Sequence, residues 1–161
     1  MKKYTYIVLF FAFTVLFMAI SCRSDKSYTD NASPTITSEI AIVEEPKYTE
    51  YELNLLAKII WCEAGSDWLT DEHQRAVASV VINRKNDSRF PNTIKDVIYQ
   101  EGQYGCVYNG MINQKPNQRA YDNAKYVLEN GVTIPTNVVW QSKSTQGRGL
   151  YKYIQGHYFC Y

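Results

Sequence analysis

Apolar residues recur at three- and four-residue steps in four stretches of the chain. In residues 53–65, Leu53, Leu56, Ile60 and Ala64 make one apolar face. That spacing predicts a helix. Gly65 is its expected stop, in the left-handed conformation that glycine adopts without steric cost. In the second stretch Thr70 can cap a helix with Asp71 and Glu72 in its first turn, and Ala76, Val77, Val80 and Val81 form the buried stripe. Asn83 and Arg84 lie near its end, where side chains commonly hydrogen-bond to the backbone. His73 is on no clear apolar face and is expected to be exposed. Third, the turn over 90–93 caps a short helix over 94–100, with Ile94, Val97 and Ile98 inward. Fourth, Asn117 caps a helix whose stripe is Ala120, Tyr121, Ala124, Val127 and Leu128, closed by Asn130 and Gly131. Val138, Val139 and Trp140 then predict a strand, 142–149 a loop, and 151–161 a second strand, together a small hairpin. The sum is an α+β fold, mostly helical, with a small C-terminal antiparallel sheet, in one domain over residues 48–161.

The segment ahead of that domain follows a different pattern. Lys2 and Lys3 precede a run over 7–20 that is apolar except for Thr14. Fourteen residues suit a signal-peptide core and fall short of the ~20 a membrane span needs. The run ends in Ala19, Ile20, Ser21 and Cys22, which resembles a bacterial lipobox, although leucine is the commoner residue at the Ala19 position. Residues 1–21 are therefore expected to be a signal peptide. Cys22 is expected to carry lipid, making the protein an exported, membrane-anchored lipoprotein facing the cell wall; two or more acyl chains are needed for stable anchoring. Residues 22–47 are a predicted flexible linker, rich in Ser, Thr, Asp, Asn and Glu, with Pro34 and Pro46 and no aromatic but Tyr28. Residues 40–43 could add a short strand.

Charge changes the picture only by exclusion. The full chain carries +1, and without residues 1–21 there remain 15 basic against 16 acidic residues. No basic face points to nucleic acid. Aromatic content of 14% with 14 tyrosines is that of a globular domain, and it is expected to be monomeric.

One residue breaks the first helical pattern. Glu63 lies three past Ile60 and seven past Leu56, so it points toward the apolar side, in the last turn where the helix dipole disfavours negative charge. Both effects favour the protonated form, as a general acid requires. The plain alternative is a last-turn Glu that swings into solvent. Residues 101–116 show no periodicity, and a loop of 16 residues within a compact domain is commonly functional. Its amides and rings are the groups that sugars ask for. Gln100, Gln103, Tyr104, Tyr108, Asn109 and Trp140 are the candidate substrate contacts, against the reading of a plain surface loop.

Several stretches, in this order, resemble the cell wall hydrolases typified by the spore-cortex-lytic enzymes: Leu55-Leu56-Ala57 to Glu63-Ala64, Ala76-Val77-Ala78, Val81-Ile82-Asn83-Arg84, Phe90-Pro91-Asn92-Thr93-Ile94, Val97-Ile98-Tyr99-Gln100, Gly102-Gln103-Tyr104, Gly110 through Asn113, and Gly156-His157-Tyr158-Phe159. The resemblance implies a lysozyme-like fold that cleaves the glycan strands of peptidoglycan, with Glu63 matching the family's catalytic acid. No cofactor or metal is implied. Glu63 would protonate the oxygen between N-acetylmuramic acid and N-acetylglucosamine, giving an oxocarbenium-like state. A hydrolase needs a second carboxylate; Asp67 and Glu101 are candidates only by loop placement. That favours a lytic transglycosylase, with a muramidase-type hydrolase as the alternative. A lipobox on such a domain suits wall remodelling better than cortex lysis alone.

Cys62, Cys106 and Cys160 are outside the family's pattern. A Cys106–Cys160 bond is one possible pairing. Cys62 with His157 could make a thiol amidase, but a position near a helix C-terminus is expected to raise the thiol pKa. His-x-x-Cys over 157–160 is too weak a spacing for a zinc site. His157 is expected to be a hydrogen-bonded core histidine supporting Glu63 or the loop. A non-catalytic wall-binding module is the remaining rival.

Overall fold

A computed structural model describes residues 47–161. The signal peptide, Cys22, the strand considered over 40–43 and the linker up to Pro46 lie outside the described residues. The elements are α1 (Glu50–Ala64), α2 (Asp71–Asn86), α3 (Ile94–Tyr99), α4 (Gly105–Tyr108), a 3-10 turn (Met111–Asn113), α5 (Gln118–Asn130), β1 (Trp140–Ser142), β2 (Leu150–Ile154) and β3 (His157–Cys160). The architecture is the predicted one, mostly helical α+β with a small antiparallel sheet.

α1 begins one turn earlier than its apolar stripe. Thr49 and Glu52 form a reciprocal capping box there, which satisfies two otherwise orphan backbone donors. Leu56, Ile59 and Ile60 are fully buried, and α1 packs against both α2 and α5. The expected caps are present: Thr70 accepts from His73 N, Thr93 from Asp96 N and Asn117 from Ala120 N. Gly65 differs from expectation. Its φ of −77° is right-handed. Glycine is required there by space: a Cβ would stand 2.2 Å from Trp61 O and 2.6 Å from the Trp61 ring.

The predicted second strand is two strands joined by a turn at Gln155 and Gly156. The sheet has three strands in the order β1-β3-β2, both pairings antiparallel. β1 starts later than predicted, at Trp140: Val138 N turns back to Pro135 O, and Val139, although its N donates to Cys160 O of β3, gives its carbonyl to the end of α2. Asn83 Nδ2 donates to Pro135 O and Val138 O, and Arg84 Nε donates to Val139 O. These are the helix-end bonds expected of both residues, and they set the sheet against α2.

The predicted loop over 101–116 contains α4 and the 3-10 turn. It is anchored by four buried residues, Tyr104, Cys106, Ile112 and Pro116. Their spacing is too irregular for a period to show in the sequence.

Candidate active site

Glu63 sits in the last turn of α1, half-buried. The helix end beneath it is held by a polar ladder. Buried Gln74 donates through Nε2 to Ala64 O at 2.9 Å, and Asn123 of α5 donates to Gln74 Oε1 at 2.8 Å. A helix's last carbonyls need such partners when they are not in water. The ladder fixes the backbone that carries Glu63.

Across from Glu63 stand two residues of the sheet side. The Gln141 side chain of β1 and the Lys143 ammonium both lie close enough to the carboxyl to act on it. Burial raises the Glu63 pKa above the ordinary carboxylate value. Lys143 and then Gln141 pull the other way without cancelling the shift. No carboxylate is among the described groups that shift Glu63; Asp67 and Glu101 are both exposed. Neither Gln141 nor Lys143 was singled out in the sequence. Strand alternation could have placed Gln141 on the face opposite Trp140, but Lys143 follows the strand in an aperiodic loop and carries no local signal.

The expected loop contacts divide. Tyr104 is only 2% exposed, a wall residue and not a surface ring. Burial pushes its hydroxyl up to about 12, against the pull of Arg84. Tyr108 is 64% exposed, and its hydroxyl accepts from Gly102 N. Asn109 spends its side-chain oxygen on Met111 N. Gln103 is half-buried, as is Gln100, whose Oε1 has no partner among the described residues. Gln141 Oε1 is likewise unpaired. Trp140 packs edge-on against Phe90, with ring centroids 5.7 Å apart, and Gly147 closes over its indole.

His73 corrects the expectation of exposure. It is fully buried, and its Nε2 lies 2.7 Å from His157 Nδ1, which ties α2 to β3. The sequence missed this because the partner is 84 residues away. Burial, then the neighbouring His157 and Lys143, lower the His73 pKa to about 4. Burial and Lys143 lower that of His157 too. His157 is thus a buried, hydrogen-bonded histidine on the flank of Lys143.

The cysteines also differ from expectation. All three are free. The Cys106 thiol meets Cys62 and not Cys160, whose sulfur accepts from Gln146 N. The neighbouring Cys106 thiol lowers the Cys62 pKa, outweighing burial and Glu63, opposite in direction to the expected upward shift, while Cys106 is raised. Among the described residues no cluster of His, Cys, Asp and Glu could hold a metal ion.

Comparison with known proteins gives the family and the fold. The family model described as Cell Wall Hydrolase matches residues 70–159, so Glu63 lies just ahead of the match. The spore cortex-lytic enzyme of Bacillus cereus is 32% identical over 123 residues, covering 70% of this chain and 45% of that protein. The one from Bacillus subtilis strain 168 is 29% identical over 125 residues, covering 70% and 38%. The chain therefore spans less than half the length of these relatives. Among solved structures, the catalytic domain of the germination-specific lytic transglycosylase SleB from Bacillus anthracis superposes with a TM-score of 0.61 at 26% identity, over 73% of this chain and 99% of that one. The catalytic domain of Bacillus cereus SleB, at 24% identity and a TM-score of 0.62, shares the fold.

Proposed function

The chain belongs to the Cell Wall Hydrolase family, and on that premise we propose that it cleaves the glycan strands of peptidoglycan as a lytic transglycosylase, with Glu63 as its acid and then its base. The observation that carries this reading is the setting of Glu63: a half-buried carboxyl, raised in pKa, faced by an amide and an ammonium. A carboxyl kept protonated can give its proton to the oxygen between N-acetylmuramic acid and N-acetylglucosamine. As positive charge develops on the muramic sugar, Glu63 becomes a carboxylate, and the Lys143 ammonium and the Gln141 amide stabilise it. That carboxylate then takes the proton of the muramic 6-hydroxyl, whose oxygen closes onto the sugar to give a 1,6-anhydro end. No separate base is needed, which agrees with the absence of a carboxylate among the described groups acting on Glu63. The names of the relatives, two spore cortex-lytic enzymes and a lytic transglycosylase, support the same class.

The thiol alternative has little support. His157 Nδ1 is taken by His73, which leaves it unable to serve Cys62 through that nitrogen.

Mass spectrometry of sugars released from purified peptidoglycan by residues 48–161 tests the reading. Anhydro-muramic ends are expected. Reducing ends would indicate a hydrolase, and free stem peptides with intact glycan would overturn both. Glu63→Gln, nearly isosteric, is expected to lose roughly 10²–10⁴-fold of the activity while keeping its fold. Export and anchoring through a lipid on Cys22 belong to the same proposal. Cys22→Ala is expected to move the protein out of the membrane fraction, and retention there would point to an uncleaved anchor.

A further inference from the structure

Trp68 is 68% exposed, more than any other large apolar side chain among the described residues. It lies in the connection from α1 to α2, five residues past Glu63. That connection is braced. Leu69 next to it is buried, and Leu69 N donates to Ser66 O at 3.0 Å. Gln155, from the turn between β2 and β3, holds both sides of the same segment: its Nε2 donates to Trp68 O at 3.0 Å, and its Oε1 accepts from Thr70 N and Thr70 Oγ1 at 2.8 and 2.9 Å. Gln155 does this at a φ of 43°, the left-handed region that costs a residue with a side chain. That φ belongs to the two-residue hairpin turn made with Gly156, and the turn braces a loop whose largest side chain faces water.

The location supplies the reason. A Cβ at Gly156, beside Gln155, would stand 3.8 Å from Lys143 Nζ, and Lys143 acts on Glu63. Trp68, the turn at 155–156, Lys143 and Glu63 therefore follow one another along one rim. The segment that carries the indole is mostly polar, with Ser66, Asp67 and Thr70 beside it in the chain and Gln155 bonded to its backbone.

We propose that Trp68 is a stacking platform for a sugar ring of the glycan strand, on the hairpin side of Glu63, and that Gln155 is its positioning residue. This rests on the glycan-cleaving reading. The face of a pyranose with equatorial substituents presents C–H groups of slight positive polarity, and the indole face is negative. Holding the ring in place before binding avoids an ordering cost at the moment of binding. A lone indole set among hydroxyl, carboxylate and amide groups suits a sugar, which is apolar on its faces and polar at its edge. A protein partner would be met by a broad apolar patch.

Sedimentation with purified peptidoglycan in the Glu63→Gln background measures binding apart from cleavage. Adding Trp68→Ala is expected to weaken retention roughly tenfold with unchanged Tm, and Trp68→Tyr to restore most of it. Gln155→Ala is expected to weaken retention by a smaller factor with the indole still present. Retention indifferent to Trp68→Ala, while the wild type releases sugar fragments, overturns the platform alone. No sedimentation of Glu63→Gln together with no sugar release by the wild type overturns the platform and the glycan-cleaving reading together. A change of oligomeric state with Trp68→Ala, at unchanged retention, would assign the indole to a protein interface and also overturn the proposal.

Discussion

In α1, 7 of 15 residues are buried and every one of them is apolar, whereas none of the three residues of β1 is fully buried. These two elements face each other across Glu63. α1 is specified by packing: Leu56, Ile59 and Ile60 have no exposed surface, and their contacts define where the last turn stands. β1 and the loop after it are specified by pairing and polar contacts, Trp140 opposite Cys160 and Ser142 opposite Tyr158. A general acid needs both kinds of neighbour. The packed side supplies desolvation, which raises the pKa, and the half-wet side supplies groups that receive the charge once the proton has gone. Either side alone would give an inert buried carboxyl or an ordinary surface glutamate.

The sharpest way to break the packed side is Ile60→Ala. Removing those buried methyl groups is expected to cost about 2–5 kcal/mol, lowering Tm by roughly 10–20 °C in a domain of this size. Calorimetry or thermal circular dichroism measures it, and a change within a few degrees would mean that α1 is not held by its core face.

The wet side predicts a smaller effect of a different kind. Lys143→Met removes the ammonium that opposes burial at Glu63, so the Glu63 pKa rises further. Protonated Glu63 is the competent acid, and the high-pH limb of the cleavage profile is expected to move to higher pH, with little change in Tm at acid pH. The sign for stability follows the same shift. A carboxyl with a raised folded pKa binds its proton more tightly in the native state. Stability therefore falls as pH rises from the ordinary carboxylate value near ~4.3 toward the folded pKa, and Lys143→Met deepens that fall. A limb that stays in place would separate Lys143 from Glu63.

The same contrast explains what the sequence made legible. The stripes of α1, α2, α3 and α5 were visible because packing on a helix face imposes a period, and the capping residues Thr70, Thr93 and Asn117 were visible because their partner lies three residues on. Glu63 stood out as a polar residue where that period demands an apolar one. The hidden contacts are those without a period. His73 meets His157 across 84 residues, Gln155 reaches Thr70 across 85, and Arg84 reaches Val139 across 55. Trp68 was passed over because exposure of a lone side chain leaves no mark on a pattern. Tyr104, a candidate substrate contact by residue type, is buried in the wall, because its aperiodic loop is closed by buried anchors that leave no period. Gly65 was correctly placed as a stop for the wrong cause, since the crowding by Trp61 is a three-dimensional fact.

The last strand in the sequence is the middle strand of the sheet. Within the sheet β1 and β2 pair only with β3, so neither has a strand partner until residues 157–160 have been synthesised. A nascent chain can assemble the helices and present Glu63 while the wall bearing Gln141 and Lys143 is still unformed. Completion of the polar half therefore waits for residues 157–160. An unfinished chain carries the acid without the apparatus that receives its charge, and translation itself sets the order in which the two halves meet.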